Sequence, residues 1–221
     1  MSDAQERLRL FHAIDDALQH EDRPSLFLQK AAKNPVFEQE PFQMLDKLRQ
    51  TKQSPQHHPE GSVWNHTMMV VDEAASTRDR SKAPQAFMWA ALLHDIGKPA
   101  ATKIRKGRIT SYDHDILGAE LARTFLGCVV EDENFIQHVS ALVRWHMQIL
   151  FVVKDMPYRD IDSMMRETDI SEIALLGLCD RMGRLGADRK KEEENIRLFL
   201  QKCHNFARAQ HGNVKPRNTR V

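Results

Sequence analysis

Residues 83–95 (APQAFMWAALLHD) are apolar almost all the way round a helical wheel and then end on two adjacent ionisable side chains, His94 and Asp95. A helix without a polar face is a buried helix, so this segment belongs at the centre of the fold with other elements covering it. Two ionisable groups at the end of so hydrophobic a stretch demand an electrostatic partner, and ligation of a metal answers that demand. Helices are the natural covering. With 41% hydrophobic and 29% charged residues and only 9 Gly and 9 Pro, the balance fits a globular helical protein. A chain of 221 residues is the size of one ordinary domain.

Apolar spacing at Leu10, Phe11, Ile14 and Leu18 predicts a helix over 7–18, with a second short one after Pro24 and Ser25 and a third over 41–48. Residues 50–61 (QTKQSPQHHPEG) are polar and proline-bearing and read as a loop, after which Ser62 is a good N-cap for a helix to 77. The central helix stops where Gly97 and Pro99 require. Over 102–112 (TKIRKGRITSY) the pattern changes, and Ile104 and Ile109 flanking Lys106-Gly107 predict a small hairpin. Helices resume over 116–126, 133–146, 158–167, 171–185 and 190–210. The expected architecture is an all-α bundle with at most one β-hairpin. An N-terminal helical segment (1–60) packs on the main domain (61–211), and a disordered basic tail (212–221) follows.

Five of these helices carry a metal-capable side chain at or beside the apolar face. His66 groups with Met69, Val70 and Glu73; His94 and Asp95 end the buried helix; His114 precedes Leu117, Leu121 and Phe125 on one stripe. His146 completes the stripe Phe135, Val139 and Leu142, and Asp180 shares one with Ile173, Leu176 and Gly177. Each unpartnered polar group in a core costs about 1–3 kcal/mol, and an unpaired carboxylate costs more. A lone core histidine is more often hydrogen-bonded than ligating, the reading applied to His138 and His204. A shared metal answers all the others together.

The order His66, His94-Asp95, Asp180 resembles the H…HD…D signature of the HD superfamily of metal-dependent phosphohydrolases, and ALLHDIGKP is among its most recognisable local forms. HPEGSVWNHTMMVVDEAA and ITSYDHDILGAELA are also similar to the HD domain in the C-terminal half of some bacterial tRNA nucleotidyltransferases. The likeness runs over 24–185. No Gly-Gly strand followed by paired acidic residues occurs in the sequence, so the nucleotide-adding head of those enzymes is not expected here. The resemblance implies an HD-domain helical bundle in which His66, His94, Asp95 and Asp180 ligate one metal. His114 and His146 match the additional histidines of members that bind two ions, with Asp95 bridging.

Hard carboxylates and imidazoles without a thiolate suit Mn, Fe, Co, Ni or Mg. Such an ion lowers the pKa of water from about 16 toward about 7 and polarises a phosphoryl oxygen. The implied reaction is therefore hydrolysis of a phosphomonoester or phosphodiester in a nucleotide, a cyclic nucleotide or an RNA end. Lys98 stands where family members often place a phosphate-contacting lysine, and Arg181 and Arg184 beside Asp180 would neutralise charge on the leaving group unless engaged in ordinary salt bridges. Asp113 and Asp115 beside His114 are expected to cap the helix rather than orient the imidazole. The alternative is a non-catalytic HD-type module that binds tRNA or a nucleotide.

Lys and Arg total 32 against 31 for Asp and Glu, a net charge of +1, so long-range electrostatics favour neither nucleic acid nor membrane. The run Lys103, Arg105, Lys106, Arg108 is a local candidate for gripping RNA phosphates, although a solvated turn is the commoner fate of such a run. Among the tryptophans, Trp89 is expected in the core and Trp145, next to His146, in a pocket wall. Three cysteines, odd in number and without a CxxC pair, argue against a disulfide framework and a thiolate zinc site and suit a reducing cytoplasm. No apolar run approaches the roughly 20 residues needed to span a bilayer, and the charged start MSDAQERLRL is unlike a signal peptide. The expected partner is a phosphorylated small molecule or a nucleotide or RNA end.

Overall fold

The computed structural model describes residues 2–212, with side chains through residue 210. In chain order the first helices are α1 (Asp3–His20), α2 (Pro24–Ala31), α3 (Gln43–Asp46), α4 (Val63–Ala75), α5 (Pro84–Leu93) and α6 (Lys98–Ala101). After the hairpin β1 (Lys103–Arg105) and β2 (Arg108–Thr110) come α7 (His114–Gly127), α8 (Glu133–Trp145), α9 (Gln148–Val153), α10 (Ile161–Glu167), α11 (Ile170–Met182) and α12 (Arg189–Gly212).

The apolar α5 lies at the centre: residues 86–93 are all buried, and α1, α4, α8 and α11 pack against it. Pro84 opens it at a position where a missing N–H leaves no bond unmade. Burying a side chain such as Phe87 or Leu92 stabilises the fold by about 1.5–3 kcal/mol each. The first helix is fastened to α5 twice, by the ring of Phe11 stacked on Trp89 at 4.8 Å and by Trp89 Nε1 donating to Asp15 Oδ1 at 2.8 Å. An outer layer follows, with α2 on α4 and α1, α7 on α8, and α12 on α11 and α9.

Ser62 caps α4 by accepting from the Asn65 N–H, as its position predicts. The hairpin pairs Ile104 with Ile109, and Lys106 (φ 49°) and Gly107 (φ 75°) supply the two left-handed residues of a two-residue turn. It is the only sheet among the described residues. No helix among them is long and apolar enough to cross a membrane.

Some boundaries depart from the periodicity. Helix α5 ends at Leu93, before His94-Asp95, because the chain tightens there into three-residue turns, Ile96 N to Leu93 O at 3.0 Å and Lys98 N to Asp95 O at 2.9 Å. Helices α6 and α9 were not expected: one is a single turn, and the other is rich in β-branched residues and helical through its packing on α11 and α12. Helix α10 starts at Ile161, where Asp160 caps it, rather than at 158. His204 is exposed and His138 only half-buried, so neither is the core histidine its stripe suggests. Of the expected basic tail, Gly212 closes α12 and residues 213–221 lie outside the described residues.

Two glycines set the approach of helices to the centre. A Cβ on Gly97 would lie 2.2 Å from His114 O and 2.7 Å from Gly118 N, so only glycine lets the start of α7 rest against the turn after α5. A Cβ on Gly183 would lie 2.4 Å from Val70 Cγ2, so the end of α11 settles on α4 beside His66.

Candidate metal centre

These approaches bring the six expected ligands to one place. His66 comes from α4, His94 and Asp95 from the turn after α5, His114 from the first residue of α7, His146 from the residue after α8, and Asp180 from α11. All are between 0 and 8% exposed. Asp95 is the hub. Its Oδ2 lies 3.2 Å from His94 Nε2 and 3.8 Å from His66 Nε2, and its Oδ1 lies 3.4 Å from His114 Nε2 and 4.0 Å from His146 Nε2. Ligand atoms of His66, His94 and Asp95 fall within 4.8 Å of one another, as do those of Asp95, His114 and His146, two groups that share Asp95. Asp180 Oδ1 stands 3.0 Å from His66 Nε2.

The orientation of three imidazoles is local. His94 Nδ1 reaches Ala91 O at 2.9 Å, His114 Nδ1 reaches Ser111 O at 2.7 Å, and His146 Nδ1 reaches Val143 O at 2.7 Å. Each ring folds back on the carbonyl three residues earlier. For His94 and His146 that carbonyl belongs to the last turn of a helix, where it has no backbone donor of its own. A carbonyl only accepts, so Nδ1 carries the hydrogen in all three and Nε2 presents a lone pair. These lone pairs converge: His114 Nε2 and His146 Nε2 are 3.3 Å apart, and both face a carboxylate. Among the described residues, His94 Nε2 and Asp95 Oδ2 find no partner of hydrogen-bonding geometry, although Lys98 Nζ stands 2.6 Å from that oxygen. Acceptors facing acceptors in a dry core repel one another unless a cation sits among them. The residues present therefore fit a divalent metal.

The charges agree. Burial acts to raise the Asp95 carboxyl, but the neighbouring His94 and the ammonium of Lys98 hold it well below the usual carboxylate range. Asp180 is held low against burial by Arg184 and His66. Burial, followed by His114 and His94, pushes His146 down to about 4, so it is neutral at pH 7.

The centre opens into a cavity of about 630 Å³, within the range of small-molecule sites. Asp95, His114, His146 and Asp180 lie at its base beside Lys98 and Arg184, while Ile109, Met147, Leu150 and Met156 supply an apolar part. Lys98 is the first residue of α6, with Nζ held by Asp95 and by Gln53 Oε1 at 2.6 Å. Arg184 Nη2 lies 3.3 Å from Asp180 Oδ2. Arg181 is elsewhere: it bonds Glu192 of α12 at 3.0 Å and is not among the residues lining the cavity. Trp145 also turns away, donating from Nε1 to Glu167 at 2.9 Å. Asp113 occupies the N-cap position of α7, but neither aspartate beside His114 caps the helix with its side chain. Asp113 adopts the left-handed conformation (φ 59°) with no side-chain cap bond, and Asp115 pairs with Arg144 at 2.7 Å.

Three further residues come from the loop over 50–61. Gln53 holds Lys98; His58 and Glu60 form a cluster with His66, in which Glu60 Oε1 accepts from His58 Nδ1 at 2.8 Å and lies 3.1 Å from His66 Nδ1. The segment HHPEG, with two histidines and a glutamate in a short polar stretch, was the available signal. Burial acts against the Glu60 charge, but the hydrogen bonds from His66 and His58 bring its carboxyl down to about 2.

Comparison with known proteins gives the same signature a context. The family model described as HD domain matches residues 63–182. A multifunctional CCA protein of Paracidovorax citrulli is 44% identical over 167 residues, 70% of this chain and 37% of that protein. The multifunctional CCA protein of Methylococcus capsulatus is 27% identical over 175 residues, 77% of this chain and 34% of its own length. A CC-adding tRNA nucleotidyltransferase of Thermus thermophilus is 29% identical over 133 residues, 59% of this chain and 30% of its own. The chain thus spans about a third of the length of the curated relatives it matches.

Proposed function

This chain belongs to the HD domain family, and from that premise we propose that it is a metal-dependent phosphohydrolase acting on a nucleotide, a cyclic nucleotide or an RNA end. The observation that carries the reading is the cluster of buried acceptors around Asp95, where the Nε2 atoms of His94, His114 and His146 face a carboxylate whose one cationic neighbour among them is Lys98. His66, His94, Asp95 and Asp180 would hold one ion, and His114 and His146 a second one sharing Asp95. Mn, Fe, Co, Ni and Mg all suit this donor set. When bound, such an ion acidifies water and polarises a phosphoryl oxygen.

The chain's own residues do the rest. Lys98 stands beside Asp95 as an ion pair and donates to Gln53, which leaves its ammonium at the cavity with donors to offer a phosphate oxygen. Arg184, anchored on Asp180 and lining the same cavity, offers its free guanidinium edge to the charge that develops on the leaving oxygen. The apolar part made by Ile109, Met147, Leu150 and Met156 suits a nucleobase or another flat organic group beside the phosphate. Relatives named as multifunctional CCA proteins and as a CC-adding tRNA nucleotidyltransferase direct attention to nucleotide and RNA-end esters.

The test is metal analysis of the purified protein together with a reconstituted screen of phosphomonoesters, phosphodiesters and 2′,3′-cyclic nucleotides, with Asp95→Ala as the blank. Retained divalent metal and hydrolysis, both lost in His94→Ala and Asp95→Ala, are expected. A metal-free wild type that gains no activity with Mn or Co overturns the proposal.

A second reading, a tRNA- or nucleotide-binding module without turnover, draws on the hairpin. Lys103, Arg105, Lys106 and Arg108 have no acidic partner among the described residues, and Ile109 and Ser111 just beyond them line the cavity. On that reading RNA affinity falls steeply with salt and survives removal of the metal.

A further inference from the structure

Three histidines of the centre are held by backbone carbonyls, whereas His66 is held by a side chain as well. Its Nδ1 lies 3.2 Å from Gly183 O and 3.1 Å from Glu60 Oε1, and both atoms only accept. Glu60 belongs to the loop over 50–61, yet its carboxylate is only 3% exposed, an environment that a loop glutamate enters only when paired. The pairing is specific. Oε1 also accepts from His58 Nδ1 at 2.8 Å, Oε2 faces the Leu185 N–H at 3.4 Å, and the Glu60 carbonyl accepts from Asn65 Nδ2 at 2.9 Å. The loop is thereby tied to α4 and to the segment after α11, on either side of His66.

We propose that Glu60 is a positioning residue for the metal centre: its carboxylate accepts the Nδ1 hydrogen of His66 and keeps the Nε2 lone pair of that ring directed at Asp180 and Asp95. The inference rests on the reading of His66 as a ligand given above. A carboxylate partner makes an imidazole a stronger donor to a metal than a carbonyl partner does, and loss of such an outer partner typically weakens metal affinity by about 10–100-fold. Because Gly183 O remains in place, removal of the Glu60 charge should weaken binding rather than abolish it. His58, which shares the same oxygen and lines the cavity, links the ligand ring to the cavity wall.

The experiment titrates Co²⁺ into metal-free protein in three forms: wild type, Glu60→Gln and Asn65→Ala. Glu60→Gln keeps the shape and removes the charge; Asn65→Ala frees the loop carbonyl and leaves the carboxylate. The expected result is about tenfold or greater loss of affinity and an altered Co²⁺ absorption spectrum for Glu60→Gln, with Asn65→Ala close to wild type. Equal affinity of Glu60→Gln and wild type overturns the proposal, as does an equal loss in both variants, which would assign the effect to loop anchoring. If Glu60→Gln does not fold, the wild type decides by NMR with Mg²⁺ bound. The His66 Nδ1 proton should then resonate downfield of those of His94, His114 and His146, and its absence there overturns the inference. Wild type that binds no Co²⁺ refutes the proposed function itself, so the two failures are distinct.

Discussion

Lys98 and the arginine pair after Asp180 show how much one side chain's direction decides. With Nζ held at 2.6 Å by both Asp95 and Gln53, Lys98 is a preorganised cation at the cavity base. Lys98→Ala is expected to lower kcat/KM by about 100-fold, as loss of one charged donor to a developing phosphate charge does. Steady-state kinetics beside metal analysis checks this, and full metal content with the kinetic loss is the expected pair of results. Arg181 and Arg184 both follow Asp180 in sequence, Arg181 inside α11 and Arg184 two residues past its end. Arg184, four residues on, returns to the face of Asp180, while Arg181 points to Glu192 of α12. The part played by Glu60 and His58 was not legible in the sequence: helical periodicity gives no direction to side chains in a proline-bearing loop.

At the level of single elements, the caps and turns follow the local sequence closely, and one of them carries a pH signature. Asp169 caps α11 by accepting from Ser171 and pairs with Lys82 from before α5. The hydrogen bond from Lys82, then those from Ser171, bring its carboxyl down to about 2 from the ordinary 3.8. A depressed carboxylate contributes stability that is fully present above the unfolded value and is lost as pH falls through the folded one. In Asp169→Asn, which keeps the cap but not the charge, the deficit is expected to be about 1 kcal/mol near neutrality, discounted for solvent screening of this part-exposed pair. Thermal melts from pH 7 to 2 should show the gap to wild type closing between pH 3.8 and about 2. Helix α9 marks where local signals end. Its Ile149 seats on Gly177 of α11, where an added Cβ would lie only 2.4 Å from Ile149 Cγ1, so a segment of β-branched residues is helical because its neighbour leaves room.

For the molecule as a whole, the ligands come from five separate elements around α5, so an ion bound there holds the bundle together. Chelation is expected to lower Tm by about 10 °C and added Mn²⁺ or Co²⁺ to restore it, the shift that follows from about 3 kcal/mol of binding at saturation in a chain of this size. Differential scanning calorimetry with and without chelator tests it, and an unchanged Tm would mean that the folded state binds no ion. The sequence by itself determined the central helix, the hairpin, the helical class and which six ionisable residues gather at the centre. Each of these follows from apolar spacing, glycine and proline positions and the cost of burying charge, which act over a few residues. The tertiary structure alone decided that acceptors far apart in the chain face one another around Asp95, and that Arg181 and Trp145 leave the cavity. Those outcomes depend on how closely two backbones approach, at Gly97 against α7 and at Gly183 against α4, and such distances are set by packing between elements and are written in no single one of them.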